Sequence, residues 1–521
     1  MYHYGTSTDH IDLLDQVRQL LTSDQLGSVA INAGGTGYVV DDILTVAGGT
    51  ATHAAQLRVT SVSSGVITGV RVEKAGAYTA DPTLSANAVT GGSGSSATMN
   101  LTMSAAGWST LAWGREAASA TVSDGGTGYT VGDQLTLLGG VRHVNGVSGA
   151  QDDAAVFEVT GESGGVITSV SVVTAGHYQV APVGATTVSG GTGSGAALTV
   201  TWQGVSDDDQ VLALQGTASG SANAPLLGIH AYSSTDRLST NPTYNWALCS
   251  FTNWDASSLL AAQVNRTECY SNSGGDLSLS TSATSPQMIL KDADAYDIDY
   301  WIQWTGRHMQ LVCKVRSAST QRYPSMFAGL LNPFSPGTEE PYPMYLSGST
   351  DIAKSRWDDT VQLQSGIGEP IGFDNAFAWT GTEWRPIYNA TANGTTVTYV
   401  TNYQSGVWPG LDIDVDVSSK SDEYTNAGFA RQDLVYQTAS WKLMRTPDTG
   451  GDIFPIWRRY VMSADTTDRR VYGELPGHFW MHTADEPISS EDTLTQNGTT
   501  YILFQSGDRT ERYSFFDMET L

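Results

Sequence analysis

Charged residues are scarce in this 521-residue chain, where Asp, Glu, Lys and Arg together make up 15% of the sequence. Basic residues are the scarcer group, because 26 Lys and Arg stand against 53 Asp and Glu and leave a net charge of −27. Such a surface repels phosphate backbones and anionic lipid headgroups. The balance therefore argues against a protein that grips nucleic acid or binds membranes electrostatically.

Cysteines and long apolar runs are also few. Cys249, Cys269 and Cys313 are far apart and odd in number, which excludes a disulfide framework and a metal-ligand spacing. We expect them to be small core residues of a protein made in a reducing cytosol. No apolar stretch reaches the roughly 18 residues of a membrane span. The first residues have no basic region followed by an apolar run, so we expect no secretion signal.

Glycine, serine, threonine and aromatic residues are abundant instead. The chain has 56 Gly, 23 Tyr and 14 Trp, and 40% of its residues are hydrophobic. The hydrophobic content is that of a folded protein. Strands and tight turns suit this composition better than helices do. We predict a mainly β fold with an N-terminal helix, two tandem small antiparallel β-modules and a large C-terminal domain of β-sandwich or jelly-roll-like type.

The helix is predicted near the start of the chain, within a first segment of residues 1–27. Ile11, Leu14, Val17 and Leu21 recur at helical spacing, and Asp9 is a suitable N-cap. This apolar stripe must be covered. Two alternatives remain open from sequence: the stripe packs on its own domain, or it docks in an assembly interface formed by these four apolar residues.

Two segments after the helix repeat each other in order and spacing. The motif Gly-Gly-Thr-Gly-Tyr at 34–38 recurs at 125–129, and Gly-Val-Ile-Thr at 65–68 recurs at 165–168. Residues 28–104 and 119–204 are therefore predicted to be two Gly-rich β-modules of one design. The second copy has a longer loop near 141–153, which marks an exposed hairpin tip. Both modules are interpreted as insertions into a main domain that includes the connecting strand 105–118 and the C-terminal β-domain 205–521, although a simple linker at 105–118 remains an alternative.

Motifs of catalysis and of metal or cofactor binding are weak in this sequence. It has no Gly-x-Ser-x-Gly elbow and no phosphate-binding loop ending in Gly-Lys-Ser/Thr. His478 and His482 have a helical metal-pair spacing without an evident third ligand, and Asp412, Asp414 and Asp416 begin an imperfect calcium-loop count. We therefore expect no enzyme activity, no catalytic or metal-binding residues and no cofactor.

The C-terminal part resembles virion structural proteins of tailed bacteriophages, of the tail- and baseplate-associated kind, and the Gly-rich repeats are similar to β-modules of phage tail, baseplate and fibre proteins. The resemblance is a pattern of turns and aromatic residues without a catalytic signature. It rests on the segments 212–216, 228–232, 244–248, 300–301, 306–307, 312–315, 332–334, 341–343, 347–349, 473–477 and 501–505.

This resemblance implies a structural role in the virion, in the tail or baseplate, with neck or fibre attachment as related placements. The partners would be other phage structural proteins and further copies of the chain in a symmetric assembly, put together in the host bacterial cytoplasm. The alternative is a module of the tail that binds host-surface glycans. Aromatic side chains stack on sugars, and its contact residues would be Trp379, Trp384 and Trp408.

Overall fold

The structure is a computed structural model, and its described part is mainly β with one α-helix, which confirms the prediction of a mainly β protein. It describes residues 1–142, 154–176, 178–202, 210–218, 224–235, 242–255, 260, 263, 265–267, 284–291, 297–316, 321–333, 344–348, 350–352, 376–379, 384–386, 398–401, 457–463, 471–482, 489–496, 499–505 and 512–517.

The chain begins with strand β1, Tyr2–Ser7, and helix α1, His10–Thr22. Asp9 caps the helix, since its carboxylate accepts hydrogen bonds from the amides of Ile11 (2.9 Å) and Asp12 (2.8 Å). These bonds satisfy amides that have no partner within the helix. The N-terminus of the helix is thus set by a residue type that the local sequence provides.

Module 1, residues 25–104, is a small open barrel of antiparallel strands. Six strands form one sheet in the order β2-β9-β8-β3-β5-β6, and β4 pairs with β7. Its eight strands are Gln25–Thr36 (β2), Ile43–Val46 (β3), Thr50–His53 (β4), Gln56–Ser63 (β5), Val66–Lys74 (β6), Ala77–Ala80 (β7), Asn87–Gly91 (β8) and Ser95–Ser104 (β9).

Module 2, residues 117–202, has the same topology, strand for strand. Its sheet order is β11-β18-β17-β12-β14-β15, and β13 pairs with β16. The loop that lengthens this copy falls between β13 and β14 and lies largely outside the described residues. Strand β10 of the connecting segment, Trp108–Gly114, precedes Ala117–Thr127 (β11), Gln134–Leu137 (β12), Val141–Arg142 (β13), Val156–Ser163 (β14), Val166–Thr174 (β15), Tyr178–Val180 (β16), Ala185–Ser189 (β17) and Ser194–Trp202 (β18).

Strand pairing explains how the modules join the rest of the chain. In module 1 the first residue, Gln25, pairs with the last, Ser104, so both ends of the module leave from one place. Module 2 does the same through Ala117 and Trp202. Between the modules, β10 pairs with the strand that follows module 2 and thereby continues a sheet of another unit. Each module therefore extends from that unit like an enlarged loop.

This other unit, the main domain, comprises residues 1–24, 105–116 and the described residues from 210 onward. One core includes residues of α1, of β10 and of the strands from residue 210 onward, and β1 pairs with residues 298–303, so the main domain includes β1 and α1 besides the predicted connecting strand. Its remaining strands are Gln210–Gly216 (β19), Leu226–Thr235 (β20), Pro242–Ser250 (β21), Thr284–Lys291 (β22), Ile298–Trp304 (β23), His308–Arg316 (β24), Gln321–Arg322 (β25), Ser325–Leu330 (β26), Asn332–Pro333 (β27), Met344–Ser347 (β28), Thr350–Ile352 (β29), Ala376–Trp379 (β30), Trp384–Pro386 (β31), Thr398–Thr401 (β32), Trp457–Ser463 (β33), Val471–His482 (β34), Thr493–Gln496 (β35), Thr499–Gln505 (β36) and Arg512–Asp517 (β37).

Three sheets make up the main domain. Sheet 1 has the order β1-β23-β24-β26-β28-β30-β31, with β25 beside β24, and sheet 2 has the order β10-β19-β20-β21-β22-β29. Sheet 3 has the order β32-β33-β34-β37-β36-β35, with β27 beside β34. Apolar residues of sheets 1 and 2 form one core with α1, and the other face of sheet 1 packs against Leu475, Ile502 and Phe504 of sheet 3.

The repeated Gly-Gly-Thr-Gly-Tyr motif closes each barrel. A Cβ atom on Gly34 would lie 2.5 Å from the carbonyl oxygen of Ile67, and one on Gly125 would lie 2.6 Å from that of Ile167. Glycine is therefore needed where β2 passes β6, and where β11 passes β15. The tyrosine that ends each motif is buried in the barrel core.

Replacing Gly34 with alanine is expected to lower the stability of module 1 by about 1–3 kcal/mol, because the backbone atoms it meets cannot move aside. Gly69→Ala is the matched control, since its Cβ would meet the rotatable hydroxyls of Ser61 and Thr60. Thermal unfolding followed by circular dichroism compares the two variants. Equal losses in both would show that crowding at the barrel closure is not the cause.

Candidate functional site

The helix residues that were candidates for an assembly interface lie inside the protein. Leu14, Val17 and Leu21 are fully buried in the core between sheets 1 and 2, and Ile11 is partly buried against the same core. Two hydrogen bonds fix the helix there, from Trp246 Nε1 to the carbonyl of His10 (3.2 Å) and from the Tyr300 hydroxyl to Gln16 (2.7 Å). The three buried side chains cannot contact another protein, so the packing alternative replaces the interface role.

The aromatic residues proposed to contact glycans are placed differently from expectation. Trp379 is only 7% exposed and packs against Leu330 and Met344 within sheet 1. Trp384 is half-buried beside it, with ring centroids 5.3 Å apart, and donates a hydrogen bond to the carbonyl of Asn265 (2.9 Å). Trp408 lies outside the described residues. Trp379 is therefore a core residue, and an open stacking surface for sugar does not include it.

Other candidate chemistry is distributed through the main domain. Cys249 and Cys313 are buried and form no disulfide, and burial raises the pKa of the Cys313 thiol. His478 and His482 lie on strand β34 and not on a helix, so their backbones are separated by roughly 13 Å. Among the described residues, no group of three or more His, Cys, Asp or Glu side chains could hold a metal ion. Cys269 and the acidic run at 412–416 lie outside the described residues.

A different surface stands out at the distal end of each module, the end farthest from the main domain. In module 1, β2 runs from Gln25, which bonds to Trp304 of the main domain, to Thr36, which pairs with Ser95. A strand of this length spans roughly 35 Å. Three loops meet there: 37–42, 63–66 and 91–95. Module 2 has the equivalent loops at 128–133, 163–166 and 190–194.

Hydrogen bonds hold the three loops of each distal end in one arrangement. In module 1 the amide of Tyr38 donates to the carbonyl of Gly65 (3.0 Å), and the Ser93 hydroxyl donates to the carbonyl of Gly37 (3.1 Å). Module 2 repeats both bonds, from Tyr129 to Gly165 and from Thr192 to Gly128, each at 3.0 Å. The distal ends are therefore built alike, loop for loop.

One carboxylate anchors each distal end. Asp42 accepts bonds from the amide of Val39 (3.0 Å) and from the amide (3.0 Å) and hydroxyl (2.7 Å) of Ser93. Asp133 accepts the equivalent bonds from Thr130 and Thr192. These bonds lower the pKa of Asp42 and lower that of Asp133 to about 2. Because hydrogen bonds to the charged form favour it, both carboxylates stay ionised and keep the loops in place.

Exposed valines lie on these anchored loops at equivalent positions. Val40 is 48% exposed and its counterpart Val131 is 61% exposed, while Val66 is 38% and its counterpart Val166 is 41% exposed. All eight large hydrophobic residues that are exposed in the described part of the chain belong to the modules: Val39, Val40, Val66, Leu84, Val131, Leu138, Val166 and Val183. The main domain exposes no such residue among its described positions. Five of the eight, Val39, Val40, Val66, Val131 and Val166, lie on the distal loops, which makes the distal ends the candidate contact surfaces.

Sequence reasoning found the repeat but did not single out these valines. The signal was present, because Gly-Tyr-Val-Val at 37–40 aligns with Gly-Tyr-Thr-Val at 128–131. An apolar residue next to a turn motif is ordinarily assigned to the core, and only the structure shows that both valines lie exposed in their turns.

No helix in the described part of the chain has the length and apolar character needed to cross a lipid bilayer. Comparison of the sequence with models of known protein families finds no match, and neither does a search of curated proteins.

Proposed function

We propose that this chain is a structural component of a tailed-phage virion, in the tail or baseplate, with neck or fibre attachment as related placements. It acts by protein–protein assembly and not by catalysis. Its partners are other phage structural proteins and further copies of itself in a symmetric particle assembled in the host cytoplasm. The finer description of the main domain as a large β-sandwich of jelly-roll-like type belongs to the same proposal, as does the resemblance to phage virion proteins.

The observation that carries this proposal is the pairing of exposed valines at equivalent places in the two modules. Exposed apolar side chains that cluster, as Val39, Val40 and Val66 do on loops that meet, are characteristic of surfaces that become covered by a partner. Their burial contributes about 25 cal/mol per Å² of apolar surface removed from water. Folding does not require these exposed valines, because the side chains of Val40, Val66, Val131 and Val166 lie outside the barrel cores.

Duplication of the surface supports assembly in a second way. Each chain offers two distal ends of one design, at the tips of two modules that leave a single main domain. When a first contact has formed, the second becomes intramolecular and benefits from a high effective concentration. A particle built from repeated subunits presents the same partner surface many times. Two weak contacts per chain therefore suffice for stable incorporation.

The acidic balance of the chain agrees with contacts of this kind. With a net charge of −27, free copies repel one another at long range, which opposes non-specific association before assembly. The exposed valines of the distal loops carry no charge, the carboxylates of Asp42 and Asp133 are hydrogen-bonded within their own loops, and the exposed carboxylate of Asp41 lies 3.4 Å from Arg58. The same charge disfavours nucleic acid as a partner.

Replacing Val40 and Val131 with asparagine in one protein is expected to reduce incorporation of the chain into particles at least about tenfold, since two anchors are lost at once. Folding should be unaffected, because exposed substitutions change stability by only about 0.5 kcal/mol. Quantitative immunoblotting of purified particles, made by complementing a phage that lacks the gene, measures incorporation.

The control variant carries Ser28→Asn and Ser119→Asn, which are equivalent exposed positions near the attached ends of the modules. It should be incorporated normally. Wild-type incorporation of the valine variant would show that the distal ends are not assembly contacts. Failure of the native chain to enter any particle would reject the virion role itself.

A further inference from the structure

Module 1 meets the main domain through three neighbouring aromatic rings, of which His3 and Tyr300 are stacked and His3 and His53 are tilted by 42°. His3 on β1 lies between Tyr300 of sheet 1 and His53 on β4 of the module, with ring centroids 6.1 Å and 5.1 Å away. His3 is buried, and its Nδ1 atom has no hydrogen-bond partner. The ring of His53 is the module's half of this contact. A histidine pair therefore lies at the boundary between two structural units.

Backbone contacts accompany the stack. The amide of Ala75 at the end of β6 lies 3.4 Å from the carbonyl of Tyr2. Ala77 of β7 is buried in the main-domain core with the residues of α1. The amide and carbonyl of Tyr78 pair with those of Asp24, at 2.8 and 3.0 Å. These contacts fix the base of module 1 against β1.

The charged groups around the histidines come from three elements. Lys74 of β6 places its ammonium 3.7 Å from the ring centroid of Tyr4. Glu73 is buried, and its carboxylate forms ion pairs with Arg58 (2.8 Å) and Arg71 (3.1 Å). Asp12 of α1 accepts bonds from Ser7 and the amide of Thr8, both at 3.0 Å.

The remaining titratable neighbours are Tyr2 and Tyr4 of β1 and Tyr300 of β23, and burial raises the pKa of all three hydroxyls. None of them becomes negatively charged below neutral pH. A proton added to either histidine would thus lie close to Lys74. The carboxylate of Asp12 opposes this by raising the pKa of His53, but burial and Lys74 outweigh it.

Module 2 provides an internal comparison. The positions equivalent to Arg58, Arg71, Glu73 and Lys74 are occupied by Glu158, Ser171, Val173 and Thr174. The barrel therefore folds without this charge cluster. We therefore attribute the charge cluster and the histidine contact to the attachment of module 1 to the main domain. The module fold itself does not depend on them.

We propose that the His3–His53 contact is an acid-sensitive clamp that holds module 1 on the main domain at neutral pH and releases it on acidification. Both rings must be neutral for the stack to persist. Protonation of His3 places a cation in a buried contact, and protonation of the half-buried His53 places one beside it and beside Lys74. Release frees the base of the module from β1 while the barrel stays folded.

The direction of the pH dependence follows from the surroundings of the two rings. Burial lowers the pKa of His3 well below its ordinary value, with His53 and Lys74 adding to the effect, and burial also lowers the pKa of His53. Released histidines regain an ordinary pKa of about 6.5. The clamp is therefore fully effective above that value and weakens as the pH falls below it.

Hydrogen–deuterium exchange on the full-length protein tests the clamp, at about pH 7.5 and about pH 5, with labelling times scaled for the intrinsic exchange rate. At the lower pH, peptides covering 2–8, 50–55 and 73–78 should exchange about tenfold faster. Peptides covering 29–36 of β2 and 95–101 of β9 should be unchanged, because these paired parts of the two strands lie away from the attached end of the module.

Two double variants complete the test. Replacing His3 and His53 with glutamine, or with phenylalanine, which keeps two stacked rings, should remove the acid response while β2 and β9 remain protected. The clamp is rejected if the wild-type contact exchanges equally at both pH values. It is also rejected if exchange in β2 and β9 becomes faster to the same extent, because that result indicates global unfolding. A folded double variant that keeps the acid response would reject it as well.

Discussion

Substituting Leu14 with alanine is expected to lower the free energy of unfolding of the isolated protein by about 2–5 kcal/mol. The side chain is fully buried in the core that joins α1 to sheets 1 and 2. Its truncation removes apolar contacts and leaves a cavity that the neighbouring strands cannot fill by relaxing. The loss belongs to the chain itself and requires no partner.

Urea unfolding followed by tryptophan fluorescence measures this loss. Buried Trp246 donates a hydrogen bond to the carbonyl of His10, so its fluorescence changes when the helix separates from the core. Ile11→Ala is the matched control on the same helix, where partial exposure predicts a loss of less than about 1.5 kcal/mol. A stable Leu14 variant that fails only to enter particles would restore the interface alternative. Deleting residues 1–25 should prevent folding and cannot distinguish the two roles.

Acidification is expected to destabilise the main domain through His308. Its ring is buried in β24, stacks on Phe327 with centroids 5.7 Å apart, and has an Nε2 atom without a hydrogen-bond partner. Burial, followed by the positive charges of the Met1 amino group and Arg307, lowers the pKa of His308 to about 3. Unfolding restores the ordinary pKa of about 6.5, so the unfolded chain binds the proton more tightly.

The sign of the effect follows from that difference. The stabilisation is complete above about pH 6.5 and is lost as the pH falls towards the lowered pKa of the folded protein. The slope for one proton is about 1.4 kcal/mol per pH unit, so the total is on the order of 4 kcal/mol. This free energy is a large fraction of the total free energy of unfolding of an ordinary domain.

Urea unfolding between about pH 7 and about pH 4.5 measures this slope. His308→Gln should unfold with a shallower pH dependence than the wild type, by about one proton. The experiment separates the core effect from the clamp, because His3 and His53 are retained. An unchanged slope in a folded His308 variant would show that the ring takes up its proton without unfolding.

Much of the architecture was predictable from local patterns. The mainly β class follows from the abundance of Gly, Ser and Thr and the alternation of apolar residues. The two modules follow from the recurrence of Gly-Gly-Thr-Gly-Tyr at 34–38 and 125–129, where backbone crowding and positive φ angles at Gly35 and Gly126 require glycine. The positive φ angle is a local requirement and the motif recurs, so the glycines are visible in the sequence, whereas the crowding comes from distant segments such as Ile67 and Ser95.

The candidate surfaces were less predictable, because exposure is decided by distant segments. The apolar stripe of α1 had to be covered, but its periodicity is the same whether the cover is sheet 2 or another subunit. Trp379 sits in a Gly- and Thr-rich stretch typical of an exposed loop, yet it packs against Leu330 and Met344 from neighbouring strands. Val40 is of a residue type common in cores, but it lies in a turn of the distal loop and is exposed.

The sequence by itself determined the strand-rich class, the module repeat, the capped helix and the acidic, cysteine-poor composition. Secondary-structure propensity, turn geometry and charge depend on each residue and its near neighbours, so they can be read locally. Only the tertiary structure decided that β1, α1 and β10 share a core with strands more than a hundred residues away, and that His3 meets His53. The physical reason is that burial, and the pKa values that depend on it, arise from packing between segments whose separation along the chain carries no local signal.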